Sequence, residues 1–108
     1  MEEMEELERC IMELVVNGGN ARSIAIEALR AARDGNFEES YGKMKEAEDT
    51  ITQAHNIQTA LIQKELNGEK TEGGLLMVHA QDHLMNAMTV IDLVREMIEI
   101  LQKHSQTP

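Results

Sequence analysis

One side of a predicted helix near the end of the chain carries polar residues at positions i, i+3, i+4 and i+7: His79, Asp82, His83 and Asn86. The same side carries large apolar residues: Leu75, Leu76, Val90, Leu93, Val94, Met97, Ile100 and Leu101. Buried polar groups cost free energy unless they are paired, so stability alone does not account for this polar cluster. We expect the chemistry of the protein here.

Three kinds of site are compatible with the cluster. His79 and His83 have the i, i+4 spacing of the two ligands in zinc enzymes of the H-E-x-x-H type, but Ala80 replaces their glutamate and no third ligand is evident. A histidine here would also serve as a nucleophile, because a neutral imidazole is abundant near neutral pH. The third alternative is a buried polar network that fixes the register of an oligomer. Spacing alone does not choose among them.

The composition indicates a single all-α domain spanning residues 1–108. Only Phe37 and Tyr41 are aromatic, eight methionines supply adaptable apolar volume, and the one proline, Pro108, interrupts no helix. The formal net charge of −10 argues against nucleic acid and against direct binding to an anionic membrane. A partner with a basic face is the natural complement.

Cysteine and targeting signals indicate the compartment. Cys10 is the only cysteine, so no disulfide forms within the chain. The first residues are acidic, unlike a secretory signal, and no apolar run is long enough to cross a bilayer. We expect a cytoplasmic protein.

Helical periodicity predicts a first helix that begins near the N-terminus. The sequence 17–20, Asn-Gly-Gly-Asn, predicts either an end or a kink in this helix. A clearer break follows at 34–36, where Gly35 suits a left-handed C-terminal cap and Asn36 an N-cap, with Glu39 completing a capping box. The second helix carries apolar residues on one side, with His55 and Gln58 close to them.

The third helix is predicted from about Leu75 to about Lys103, after a glycine-rich mobile linker at 67–74; residues 105–108 should fray. Three long helices with short connections predict an antiparallel three-helix bundle. A second apolar face lies on the third helix: Met77, Ala80, Leu84, Ala87, Met88, Ile91 and Ile98. Because a bundle needs only one apolar face per helix, the two faces predict a homo-oligomer with third helices at its centre.

Several segments resemble one protein family. The sequence 78–85, Val-His-Ala-Gln-Asp-His-Leu-Met, is similar to the active-site segment of IIA components of the bacterial sugar phosphotransferase system, in the lactose/cellobiose (N,N′-diacetylchitobiose) family. Residues 17–23, 35–38 and 54–59 resemble that family's first-helix motif, first turn and second-helix motif, in the same order. The resemblance covers nearly the whole chain.

The resemblance implies a three-helix subunit, a homotrimer and a set of partners. A phosphoryl group would pass from the phosphocarrier protein HPr to His79, and then to a cysteine of the IIB component. Uptake of a β-linked disaccharide of the cellobiose, lactose or chitobiose class would follow, with the membrane involved only through the IIC component. Cellobiose-like sugars are a mild preference that rests on no residue.

The resemblance also assigns Asp82 as the metal-binding aspartate, with one copy from each of three subunits. Three converging carboxylates must take up protons or bind a cation, and oxygen ligands favour Mg²⁺. His83 is equally compatible with donating to the phosphate and with packing. Gln81 points away from His79, so it would help only from a neighbouring subunit, and the roles of His55, Gln58 and Asn86 stay open.

Two other functions compete with a phosphoryl carrier. One is a non-catalytic oligomerisation or adaptor module in which His79 and Asp82 act only as a register network. The other is a zinc-binding bundle. A gain of phosphate on His79 from phosphoenolpyruvate, enzyme I and HPr distinguishes the carrier from both.

Overall fold

The computed structural model describes residues 2–69 and 74–105, which form three α-helices and, over those ranges, no strand. The helices are α1 (Glu2–Arg33), α2 (Phe37–Leu66) and α3 (Gly74–Ser105). They form a rod of 62 × 21 × 20 Å in which α1 packs extensively against both α2 and α3. The predicted three-helix bundle is confirmed, and α3 begins and ends within two residues of the predicted bounds.

The helix α1 continues without a break through Gly18 and Gly19. Two glycines in a helix interior cost about 2 kcal/mol relative to alanine. Both glycines face α3. A Cβ added to Gly18 would lie in ordinary contact, 3.5 Å from the Cα of Leu84, whereas one added to Gly19 would lie 3.2 Å from Nε2 of His83, which is tighter than ordinary contact. Of the two predicted alternatives at this point, the helix continues.

The turn between α1 and α2 has the predicted glycine cap. Gly35 has φ +87°, its amide donates to the carbonyl oxygen of Ala32 at 3.0 Å, and the amide of Asn36 donates to Ala31 at 2.8 Å. These two bonds define a Schellman motif. The predicted capping box is wrong, because the Asn36 side chain makes no cap hydrogen bond although Asn36 is the N-cap residue. Its backbone carbonyl accepts the first hydrogen bond of α2, from the Ser40 amide.

The end of α2 repeats this arrangement at Gly68. Gly68 has φ +91°, and the amides of Gly68 and Glu69 donate to Glu65 and Lys64, both at 3.0 Å. The linker predicted at 67–74 is described only for 67–69, and Gly74 already belongs to α3. Fraying was predicted for 105–108, but Ser105 is the last residue of α3. Residues 70–73 and 106–108 lie outside the described residues.

The core contains two apolar clusters along the rod. The cluster near the α1–α2 turn comprises the buried residues Ala21, Ala25, Ala28, Ala32, Met44, Ala47, Ile91, Val94 and Ile98. The cluster at the opposite end comprises Ile11, Leu14, Ala54, Leu61, Ala80 and Leu84. Alanines supply much of both clusters, so the helices approach closely. One polar side chain, Ser40, is fully buried, and its hydroxyl has no hydrogen-bond partner among the described residues.

The two apolar faces of α3 have different environments. The second predicted face lies in the core, where Ala80, Leu84, Ala87 and Ile91 are buried. The first face is largely exposed, with Leu75 at 84% and Ile100 at 56% of full exposure. Three residues of this face are exceptions: Val94 is only 2% exposed and packs in the core, and Val90 and Leu101 are partly buried against it. We call the exposed apolar residues of α3 the α3 stripe: Leu75, Leu76, Val78, Met85, Leu93, Met97 and Ile100.

Arg95 connects α3 to α2 beside the core. Its Nε and Nη2 donate to Oε1 of Glu48 at 3.1 and 2.6 Å, and its Nη1 donates to Asp92 at 3.3 Å. The hydrogen bond to Glu48 raises the pKa of the Arg95 guanidinium against the opposing effect of burial. Exposed ion pairs contribute little to stability, so this pair adds little to the free energy of unfolding.

Candidate active site

His79 and Asp82 lie side by side on the exposed face of α3, one helical turn apart. They line a shallow pocket of about 680 Å³ together with Leu75, Leu76 and Val78. Both polar side chains are exposed, and the other lining residues belong to the α3 stripe. The pocket therefore offers an accessible imidazole and a carboxylate on an apolar surface.

His83 lies one turn beyond His79 and is half-buried against α1. The two imidazole rings have centroids 5.6 Å apart and planes inclined by 32°. A Cβ added to Gly19 would stand 3.2 Å from Nε2 of His83, and one added to Gly18 would stand 3.6 Å from its Cδ2. The ring of His83 thus lies against the α1 backbone at Gly19 and beside the ring of His79.

Asp82 and Gln81 each have a neighbour within the chain. The Asn86 Nδ2 donates to Oδ2 of Asp82 at 3.4 Å, a long hydrogen bond along α3. Gln81 lies on another side of α3, where its Oε1 accepts a hydrogen bond from Nε2 of Gln58 on α2. The pair Gln58–Gln81 therefore bridges α2 and α3 away from the His79 pocket.

The remaining histidines lie elsewhere. His55 is exposed on α2, and His104 is exposed in the last turn of α3. Neither lines the pocket that contains His79. Sequence reasoning did not identify Gly18 and Gly19 as contacts of His83. The available signal is the pair of glycines within a helical pattern, which predicts a break or a kink and resembles the family's first-helix motif but does not indicate the residue opposite.

A single chain does not contain a complete metal site in its described part, since no group of three His, Cys, Asp or Glu side chains is placed to hold an ion there. Asp82 offers one exposed carboxylate, whose Oδ2 is shared with Asn86. Three copies of Asp82 around a threefold axis would offer an all-oxygen set, which fits a hard divalent cation. The donor chemistry fits Mg²⁺ only in an assembly of chains.

The fold and the site together define a small helical-bundle protein that presents a histidine–carboxylate pair on an apolar surface. Residues 9–102 match the family model of the PTS system, Lactose/Cellobiose specific IIA subunit. The chain belongs to this family. It is therefore a IIA component of a sugar phosphotransferase system, a phosphotransferase component that works through a phosphohistidine intermediate.

Curated and solved relatives agree with this assignment. The chain is 54% identical over 99 residues to the lichenan-specific phosphotransferase enzyme IIA component of Bacillus subtilis, covering 92% of this chain and 90% of that protein. The crystal structure of the cellobiose-specific enzyme IIA from Bacillus anthracis superposes with a TM-score of 0.90 at 46% identity, covering 94% of each chain.

A complex is among the similar structures. The IIA(chitobiose)–HPr complex of the Escherichia coli N,N′-diacetylchitobiose branch matches with a TM-score of 0.79 at 37% identity, covering 92% of this chain and 96% of that chain.

In the described part of the chain, no helix is both long enough and apolar enough to span a bilayer.

Proposed function

We propose that His79 is the histidine that carries the phosphoryl group. The observation that carries this proposal is its position: His79 is exposed in the pocket on α3, beside Asp82 and 5.6 Å from the His83 ring centroid. His55 and His104 lie outside this pocket, and His83 is half-buried against α1. Of the four histidines, His79 combines access for a donor protein with polar neighbours.

The reaction is an in-line transfer between proteins. A ring nitrogen of His79 attacks phosphorus, a new P–N bond forms, and the bond from phosphorus to the donor's leaving atom breaks with its electron pair returning to the donor. Such transfers need mainly positioning and charge stabilisation. The apolar surroundings of the pocket would exclude water from the reacting groups once a partner covers them.

The donor proposed for this chain is HPr, and the acceptor is a cysteine of a IIB component. The similar chitobiose IIA structure was solved in complex with HPr, which supports the first assignment. The formal charge of −10 suits a donor with a basic face and would speed encounter. All three proteins would then meet in the cytoplasm, and the membrane would be reached only through IIC.

The sugar class proposed for this chain is based on the names of its relatives. Proteins similar to this chain are named for lichenan, cellobiose, N,N′-diacetylchitobiose and galactose. We assign the chain to uptake of β-linked disaccharides of the cellobiose and chitobiose class. Growth of a deletion strain on each sugar tests this, and unchanged growth on every β-linked disaccharide would contradict it.

The functional unit proposed is a homotrimer in which the α3 stripes of three copies face one another. The support is the exposure of large apolar residues along one side of α3, a surface that water disfavours. Asp82 lies within this side, so three copies would meet near the axis, with Mg²⁺ neutralising them. Sedimentation equilibrium at micromolar concentration tests the assembly, and a monomer would overturn it.

The phosphorylation experiment uses the intact chain with phosphoenolpyruvate, enzyme I and HPr, followed by intact mass. We expect the wild type to gain one phosphoryl group, His79→Ala to gain none, and the controls His55→Ala and His104→Ala to behave as wild type. Addition of IIB should remove the phosphate. A phosphorylated His79→Ala variant would overturn the assignment, and an unmodified wild type with active donors would overturn the function.

A further inference from the structure

We propose that the α1 surface at Gly19 fixes the ring of His83 so that Nδ1, and not Nε2, is the atom offered to a phosphoryl group on His79. This inference rests on the proposed function of His79 and adds two things to it. It names the working atom of His83, and it gives α1, which brings Gly19 against this ring, a positioning role in the site.

The contacts of His83 define which edge of the ring faces α1. Nε2 lies 3.2 Å from the position of a Gly19 Cβ, and Cδ2 lies 3.6 Å from that of a Gly18 Cβ. In an imidazole ring the atom opposite the Nε2–Cδ2 bond is Nδ1. Nδ1 therefore points away from α1, and the ring itself lies beside that of His79. A hydrogen-bond donor at Nδ1 therefore lies on the edge of the ring that is turned away from α1.

Glycine at position 19 leaves room for this orientation of the ring. A side chain at 3.2 Å from Nε2 is closer than ordinary van der Waals contact, so any larger residue would push the ring of His83 outward. At Gly18 the nearest atoms would be at 3.5 and 3.6 Å, which is ordinary contact. Gly19 is thus the positioning residue, and Gly18 supplies a matched control in the same helix.

Two substitutions of His83 distinguish its nitrogens. The asparagine amide stands two bonds from Cβ, as Nδ1 does, whereas the glutamine amide stands three bonds away, as Nε2 does. We expect His83→Asn to accept phosphate from phospho-HPr within about threefold of the wild-type rate. His83→Gln and His83→Ala should be slower by about tenfold, the effect of one lost hydrogen bond. Circular dichroism confirms that all three fold.

Alanine substitutions test the role of α1 directly. Gly19→Ala should shift the imidazole ¹⁵N resonances of His83 and slow phosphate acceptance several-fold, whereas Gly18→Ala should change neither. Both gain the same helix propensity, so their difference reports the contact with His83. In a His83→Asn background, Gly19→Ala should have no further effect, because the shorter side chain no longer reaches position 19.

The outcomes separate this inference from the function on which it rests. A wild type that takes no phosphate would overturn the proposed function together with the role of Nδ1. Two results with a phosphorylated wild type would overturn this inference alone. One is a His83→Gln variant that accepts phosphate at the wild-type rate while His83→Asn is slow. The other is a His83→Ala variant that accepts phosphate at the wild-type rate. Equal spectra and rates for the two glycine variants would overturn the positioning role of α1.

Discussion

Asn86 donates a hydrogen bond to Asp82, from Nδ2 to Oδ2 over 3.4 Å, across one turn of α3. Both residues are exposed, and both lie on the side of α3 that carries the α3 stripe. The bond engages one carboxylate oxygen and leaves the other free. In the proposed trimer, the three Asp82 carboxylates would repel one another near the axis unless protons or a cation intervene.

Asp82→Leu is expected to preserve the trimer or make it more stable. A cluster of buried charges often costs more free energy than apolar residues of similar volume, and leucine continues the α3 stripe. Sedimentation equilibrium and thermal unfolding at one fixed protein concentration measure the effect. Removal of divalent cations should lower the thermal midpoint of the wild type but not that of the variant. Dissociation of the variant to monomers would contradict the prediction.

Gly35→Ala is expected to destabilise the subunit by about 1 kcal/mol. The cause is the backbone alone, since φ is +87° and an added Cβ would meet no atom within 4 Å. Gly42→Ala is the matched control, because an added Cβ there also meets nothing and Gly42 lies within α2. The control should stabilise by about 1 kcal/mol through helix propensity. Chemical denaturation measures the free energy of unfolding of both variants. A change of the same sign in Gly35→Ala and Gly42→Ala would refute the explanation.

Ser40→Ala is expected to stabilise the protein by about 1 kcal/mol, since a buried hydroxyl without a partner costs free energy that alanine avoids. Ser40 is fully buried and its Oγ is unpaired among the described residues. Ser23→Ala changes an exposed serine of α1 and reports helix propensity alone. The free energy of unfolding should increase more in Ser40→Ala than in Ser23→Ala. Loss of stability would instead reveal a buried water that satisfies the hydroxyl.

The sequence was sufficient for the three helices because their breaks are local. The left-handed cap at Gly35 and the ends of α3 depend on neighbouring residues, so the pattern predicts them. Asn36 is the N-cap residue as predicted, but the predicted capping box does not form, because the Asn36 side chain makes no cap hydrogen bond. A residue type favours a cap but does not fix its side-chain geometry.

The site was predicted in part. The i, i+3 spacing correctly brought His79 and Asp82 to one pocket, since both lie on one helix. The contact of His83 with Gly19 and the hydrogen bond from Gln58 to Gln81 join different helices. Helical periodicity gives the face of a residue but not which neighbouring helix lies opposite it. These contacts therefore needed the tertiary structure.

The contact between α1 at Gly19 and His83 of α3 also affects the order in which the chain folds. The turn between α1 and α2 closes within 34–36, whereas the contact of Gly19 with His83 joins segments far apart in the sequence. Closing a longer loop costs more entropy and is slower. We expect the α1–α2 hairpin to form first. A nascent chain would then lack a competent His79 until α3 has left the ribosome and docked.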